Sequence, residues 1–155
     1  MNYTELSAEA VKRTNAYIGQ SPENWVTFNN KINTRVLNIG EELQTNINML
    51  EGEIPILECH LDNSNLIITT HRVISKIENN IQELYISEIE GFESTNDKLN
   101  FKPDTEVQPQ IHYITIRGEK GKKLNYIIDS YFPSFFARLL IYNLSSFVRN
   151  NRWYC

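Results

Sequence analysis

The stretch Leu66-Ile67-Ile68-Thr69-Thr70-His71-Arg72-Val73-Ile74, followed by Glu83-Leu84-Tyr85-Ile86-Ser87-Glu88-Ile89, limits this chain most. It is dense in β-branched residues, too short for a buried helix and bounded by turn-forming residues, so it reads as strand. The same texture runs on both sides of it. Strands are expected at Ile54–Leu61, Leu66–Ile77, Ile81–Ile86 and Ile89–Glu93, with turns at Asp62-Asn63-Ser64-Asn65 and Asn79-Asn80. Two more are expected at Ile111–Arg117 and Leu124–Ile128, joined by a hairpin through Gly118-Glu119-Lys120-Gly121-Lys122-Lys123. Between them, Ser94–Gln110 reads as a loop, with Pro103, Pro109 and a weak strand near Leu99–Phe101. Short strands at this spacing belong to an antiparallel sandwich or a small barrel.

The flanks have a different period. Residues 5–18 read as a helix stopped by Gly19, and Ser21-Pro22-Glu23 as the start of another. After it Trp25, Phe28, Ile32, Val36, Ile39, Leu43, Ile47 and Leu50 recur at steps of three or four. That stripe predicts either one long helix or two that break at Gly40. The C-terminal segment opens at Pro133 and carries Phe135/Phe136, Leu139/Leu140, Leu144 and Phe147/Val148 on successive turns. Ile141 and Tyr142 widen its apolar face, so it should be covered on two sides. Trp25 should lie in the core, and Trp153-Tyr154-Cys155 is either a frayed end or an anchor against a partner.

With 155 residues the chain suits one domain with a helical appendage, residues 1–50 against residues 51–155. No apolar run approaches the roughly 20 residues of a bilayer span, and the opening Met1-Asn2-Tyr3-Thr4-Glu5 lacks the pattern of a secretory signal. The expectation is a cytoplasmic protein, or a mature form with its signal removed. Cys59 and Cys155 make no spaced motif, and Cys59 reads as a buried free thiol. The net charge of -4 is unevenly spread. Residues 51–110 hold twelve acidic side chains against four basic ones, residues 111–155 two against seven. An acidic centre argues against nucleic acid.

Seven or so short strands closed by one amphipathic helix resemble the pleckstrin-homology-like superfamily, in its bacterial PH and GRAM branch. The carrying residues are Leu66-Ile67-Ile68-Thr69, a tight turn at Thr70-His71, then Arg72-Val73-Ile74, with Glu83–Ile89 following. The resemblance covers roughly residues 51–150. It implies an α+β fold in which a bent antiparallel barrel or sandwich is plugged by the last helix. The turn at Thr70-His71 comes from the resemblance alone, because propensity would run one strand through it.

Lipid-binding members hold phosphoinositides with basic residues around the first strand pair. Here that turn is Asp62-Asn63-Ser64-Asn65, flanked by Glu58, and carboxylates repel phosphate. Two charged sets stand out instead: Glu88, Glu90 and Glu93 as candidate protein-partner contacts, and Arg117, Lys120, Lys122 and Lys123 as a candidate contact to an anionic surface. Glu51 and Glu53 are expected on the same exposed acidic rim. His60, His71 and His112 form no metal-ligand spacing, and Cys59 and His60 should point to opposite faces of a strand. No nucleophile elbow or Cys/His pair is visible. The sequence therefore predicts a non-enzymatic, cofactor-free protein-binding module, with a bacterial immunity protein facing a basic toxin domain as one form of it. The alternative is a peripheral lipid adaptor acting through the 117–123 hairpin.

Overall fold

The structure, a computed structural model, describes residues 1–25, 32–93 and 111–155. Helix α1 (Tyr3–Ile18) begins where Asn2 accepts the Glu5 N–H and the Glu5 carboxylate accepts the Asn2 N–H, a reciprocal cap. It stops at Gly19, whose φ of 77° is the left-handed conformation that glycine adopts without cost. Leu6 and Ala10 enter the core from its inner face.

The helix expected from Ser21 onward is absent among the described residues. Pro22–Asn24 makes one 3-10 turn, Thr34–Val36 is strand β1, and Gly40 sits at φ 92° in a turn. Residues 26–31 lie outside the description. The apolar period of three to four proved misleading because its members go to different places. Trp25 is buried against Phe136, Val36 packs on the core from a strand, and Ile32 and Ile39 are exposed. Tertiary pairing to a neighbouring strand overrode the helical period.

Strands β2 (Pro55–His60), β3 (Ser64–Thr69), β4 (Arg72–Ile77) and β5 (Asn80–Tyr85) form an antiparallel meander, and β1 adds to it beside β2. The turn at Thr70-His71 is present. Thr69 Oγ1 accepts the N–H groups of His71 and Arg72, so a side chain shapes the reversal. Register sorts the five strands into two faces. Leu57, Ile68, Val73 and Leu84 stand opposite one another and enter the core. Arg35, Glu58, Ile67, Ile74 and Glu83 form the neighbouring row on the other face. Cys59 belongs to the core face, its thiol pushed up to about 11 by burial, whereas His60 is exposed.

A second antiparallel sheet comprises β6 (Ile89–Phe92), β7 (Ile111–Gly118) and β8 (Lys123–Asp129). The loop expected at Ser94–Gln110 falls outside the described residues. The two sheets, of five and three strands, do not close into a barrel. Where β5 meets β8, the Asn125 N–H donates to the Gln82 side chain at 2.9 Å. A second tie is Asp129, buried at the end of β8. Its carboxylate accepts the Asn33 N–H at 2.7 Å, the Asn33 amide at 2.9 Å and the Thr34 hydroxyl at 2.7 Å.

Helix α2 (Phe132–Asn150) plugs the space between the sheets with Phe136, Leu140 and Leu144. Its second side takes α1: the buried Asn143 amide donates to Thr14 Oγ1 at 3.1 Å. No described helix is long and apolar enough to cross a membrane. The C-terminal residues pack against the rest of the chain. Trp153 stacks on Phe147 beneath the Arg13 guanidinium, Tyr154 stacks on Tyr142, and Asn143 Oδ1 accepts the N–H groups of Tyr154 and Cys155. Asn143→Ala removes the acceptor of two backbone donors and the partner of Thr14. Stability should fall by about 1–3 kcal/mol, read by urea unfolding. A neutral result would show that water replaces the amide at this spot.

Candidate functional site

The two charged sets singled out in the sequence meet each other. Lys122 Nζ lies 2.7 Å from Glu88, Lys123 pairs with Glu93, and Arg149 pairs with Glu119 at 3.2 Å while donating to the Ser87 and Ile89 carbonyls. Each member of the Lys122–Glu88 pair favours the other's charged form, the lysine shifted up and the carboxylate down. Gly118 lets the base of the hairpin approach β5 closely: a Cβ there would stand 2.7 Å from Leu84 Cδ1. Glu90 is exposed on β6, Arg117 is exposed on β7, and Lys120 sits at the tip with φ 58°. Three cations of this corner are thus engaged by carboxylates of the same corner.

The acid placed elsewhere by the fold is less compensated. Residues 37–53 contain no helix or strand and lie as a strap over the outer row of the five-stranded sheet. Two buried carboxylates pin it. Glu58, expected beside the β2–β3 turn as a repellent to phosphate, is instead turned under the strap. It accepts the N–H groups of Gln44 (3.0 Å) and Thr45 (2.8 Å) and pairs with Arg35 at 2.9 Å. Glu53, expected on an exposed rim, has a side chain with 0% exposure. Its two oxygens receive Arg72 Nε (2.8 Å) and Nη2 (3.1 Å), the Thr69 hydroxyl (2.6 Å) and the Leu50 N–H (2.9 Å). Arg72 then reaches Glu83 at 2.8 Å and the Asn48 carbonyl at 2.7 Å. Ile67 and Ile74, buried outside the main core, lie in the row beneath.

Burial opposes the charge on both carboxylates. At Glu58 the Gln44 and Thr45 N–H groups and Arg35 outweigh it; at Glu53 the Arg72 guanidinium, Leu50 N–H and Thr69 hydroxyl do. Both carboxyls are held below the usual 4.5. A depressed folded-state value contributes stability above the unfolded-state value and loses it as pH falls through the folded-state value. The strap should therefore stay pinned at neutral pH and come loose in acid below 4.5. Hydrogen exchange at Gln44, Thr45 and Leu50, measured against pH and corrected for intrinsic exchange, should show their protection falling there, less steeply in Glu58→Gln.

The strap folds round an open cleft of about 450 Å³. Glu41, Glu42, Leu43, Ile47, Met49 and Pro55 line it, with Glu53 also reached, and no basic residue does. No family model, no curated protein and no solved structure matches this chain. Glu41 is shared with Arg35 and the Asn38 N–H, whereas the exposed Glu42 carboxylate has no partner among the described residues.

Two smaller hollows are chemically different. One of about 310 Å³, between the β2–β3 and β4–β5 turns, is lined by Asp62, Asn63, Asn65, Lys76 and Glu78. Another, of about 170 Å³, is lined by His112, Tyr131, Ser134, Phe135 and Arg138, with His112 Nδ1 2.9 Å from Ser134 Oγ. The three histidines are scattered: His60 faces Thr45, His71 lies by Thr70 and the Tyr3 ring, and His112 is at Ser134. Among the described residues no three His, Cys, Asp or Glu side chains converge as metal ligands would. Sequence reading missed the strap. Its available signal was compositional, since residues 41–53 contain four glutamates and no basic residue.

Proposed function

We propose that this chain is a non-enzymatic protein-binding module that docks a cationic protein partner on its acidic strap. The carrying observation is the uneven compensation of charge. Lys122, Lys123 and Arg149 are each paired at the hairpin corner. Around the strap stand Glu41, Glu42, Glu51, Glu53, Glu58 and Glu83, and among the described residues the cations paired with them are the two guanidiniums of Arg35 and Arg72. Opposite potential on a partner speeds encounter and excludes wrong partners. The strap also exposes Ile39, Met49 and Leu50, the apolar contact that a protein partner uses and a free ion does not.

The architecture supports a pleckstrin-homology-like reading: four successive antiparallel strands, then three, then a plugging helix, with β1 as an addition. A bacterial immunity protein opposing a basic toxin domain is one arrangement with this chemistry. The lipid-adaptor alternative requires Lys122 and Lys123 to leave Glu88 and Glu93, and its liposome sedimentation should be negative.

The test is kinetic, on a partner identified by pull-down from the native host. Its association rate should fall steeply with added salt, and Glu42→Lys with Glu51→Lys should slow association more than it speeds dissociation. The same reversal at Glu88 and Glu90 should do less. Salt-independent association, or a partner unaffected by the strap variant, would remove the proposal.

A further inference from the structure

We infer that the cleft under the strap is an anchor pocket for one lysine or arginine side chain of the protein partner. The inference rests on the binding reading above and specifies where and by what chemistry the partner is gripped. The cleft is lined by both apolar and acidic side chains. Leu43, Ile47, Met49 and Pro55 are apolar, Gln44, Thr45 and Asn46 are polar and uncharged, Glu41, Glu42 and Glu53 carry carboxylates, and no lining residue is basic. A long cationic side chain suits that mixture, because its methylene stem packs on apolar surface while its charged head meets a hydrated carboxylate. An aromatic or aliphatic anchor would fill the walls and leave the Glu42 carboxylate desolvated without a partner, which is costly. At about 450 Å³ the space lies in the usual range of about 300–1,000 Å³ for a pocket that encloses a ligand group.

The pocket is also shaped in advance. Glu58 fixes the strap at Gln44 and Thr45, and the Glu53–Arg72 pair fixes it at Asn48 and Leu50. The arch between those pins carries Ile47, so its ordering has been met before any partner arrives. Glu53 lies at the cleft with both oxygens already bonded, which leaves the attraction to the exposed glutamates. Glu58 is thus a positioning residue and Glu42 a contact residue.

Nitrogen-15 NMR titration of the intact protein at low salt tests this, with capped Gly-Arg-Gly, Gly-Lys-Gly and Gly-Gln-Gly peptides and with guanidinium chloride as a cation without a stem. The arginine and lysine peptides should shift amides of residues 41–49 saturably, and the glutamine peptide should not. Glu42→Gln, at an exposed position, should weaken the effect at least tenfold with the rest of the spectrum unchanged, and Glu90→Gln should leave it intact. Saturable shifts centred on another surface would overturn the anchor pocket and leave the cationic-partner reading standing. Guanidinium ion, which lacks the stem, binding as tightly as the peptides would overturn it in favour of a small-cation site. If neither cationic peptide binds anywhere, the binding reading falls, and the pocket with it.

Discussion

Arg72→Ala should cost about 3–5 kcal/mol of unfolding free energy, the range for stripping one partner from a buried ion pair. The Arg72 side chain is 10% exposed and that of Glu53 is fully buried. Removing the guanidinium leaves the Glu53 carboxylate without its two charged donors and the Asn48 carbonyl without its own. The penalty arises from the stranded charge rather than from any large net value of the pair. Replacing both residues at once, as Arg72→Met with Glu53→Leu, should therefore recover much of the loss, since apolar substitutes of similar volume are often neutral. Urea unfolding at neutral pH reads both variants. A double variant as unstable as Arg72→Ala would show that the strap needs the charges themselves.

The second large effect belongs to the core. Phe136 is 0% exposed, and its ring centroid lies 5.2 Å from that of Trp25. Emptying such a site costs about 3–5 kcal/mol, the lost transfer energy plus the cavity left behind. For a domain of this size that lowers the melting temperature by roughly 6–20 °C. Trp25 lies beyond the helix-forming part of the N-terminal region and is held in the core partly by that ring. Its fluorescence should report the loss before global unfolding begins. A near-neutral melt with unchanged fluorescence would mean that neighbouring side chains collapse into the gap.

How much of this was readable in the sequence depended on the range over which each decision is made. Strands β2 to β5 are short β-branched runs set between turn residues and helix α2 obeys a local period of three to four, and so they were legible from Ile54–Ile86 and Pro133–Val148. The turn at Thr70-His71 was legible only by likeness to a known pattern, because its cause is the Thr69 hydroxyl. Residues 32–50 misled because their apolar spacing imitates a helix, while Thr34-Arg35-Val36 takes its conformation from β2, more than twenty residues away. The candidate site was least legible. Glu53 and Glu58 look like surface acids until Arg72 and Arg35 are brought to them. The tail read as a possible fray because its receptor, Asn143, lies inside a helix.

The Asp129 clasp bears on the order in which the molecule assembles. It joins residues 33 and 129, which are 96 apart in the chain, whereas each hairpin from β2 to β5 joins near neighbours. Loop closure over such a distance carries an entropic cost that no local contact repays. The meander should therefore form early and the clasp last, tying an N-terminal strand to a sheet edge already in place. Interactions absent from the transition state govern the unfolding rate and leave the folding rate alone. In stopped-flow measurements Asp129→Asn is expected to steepen only the loss of the native state, so the clasp sets how long the folded molecule lasts rather than how fast it arises.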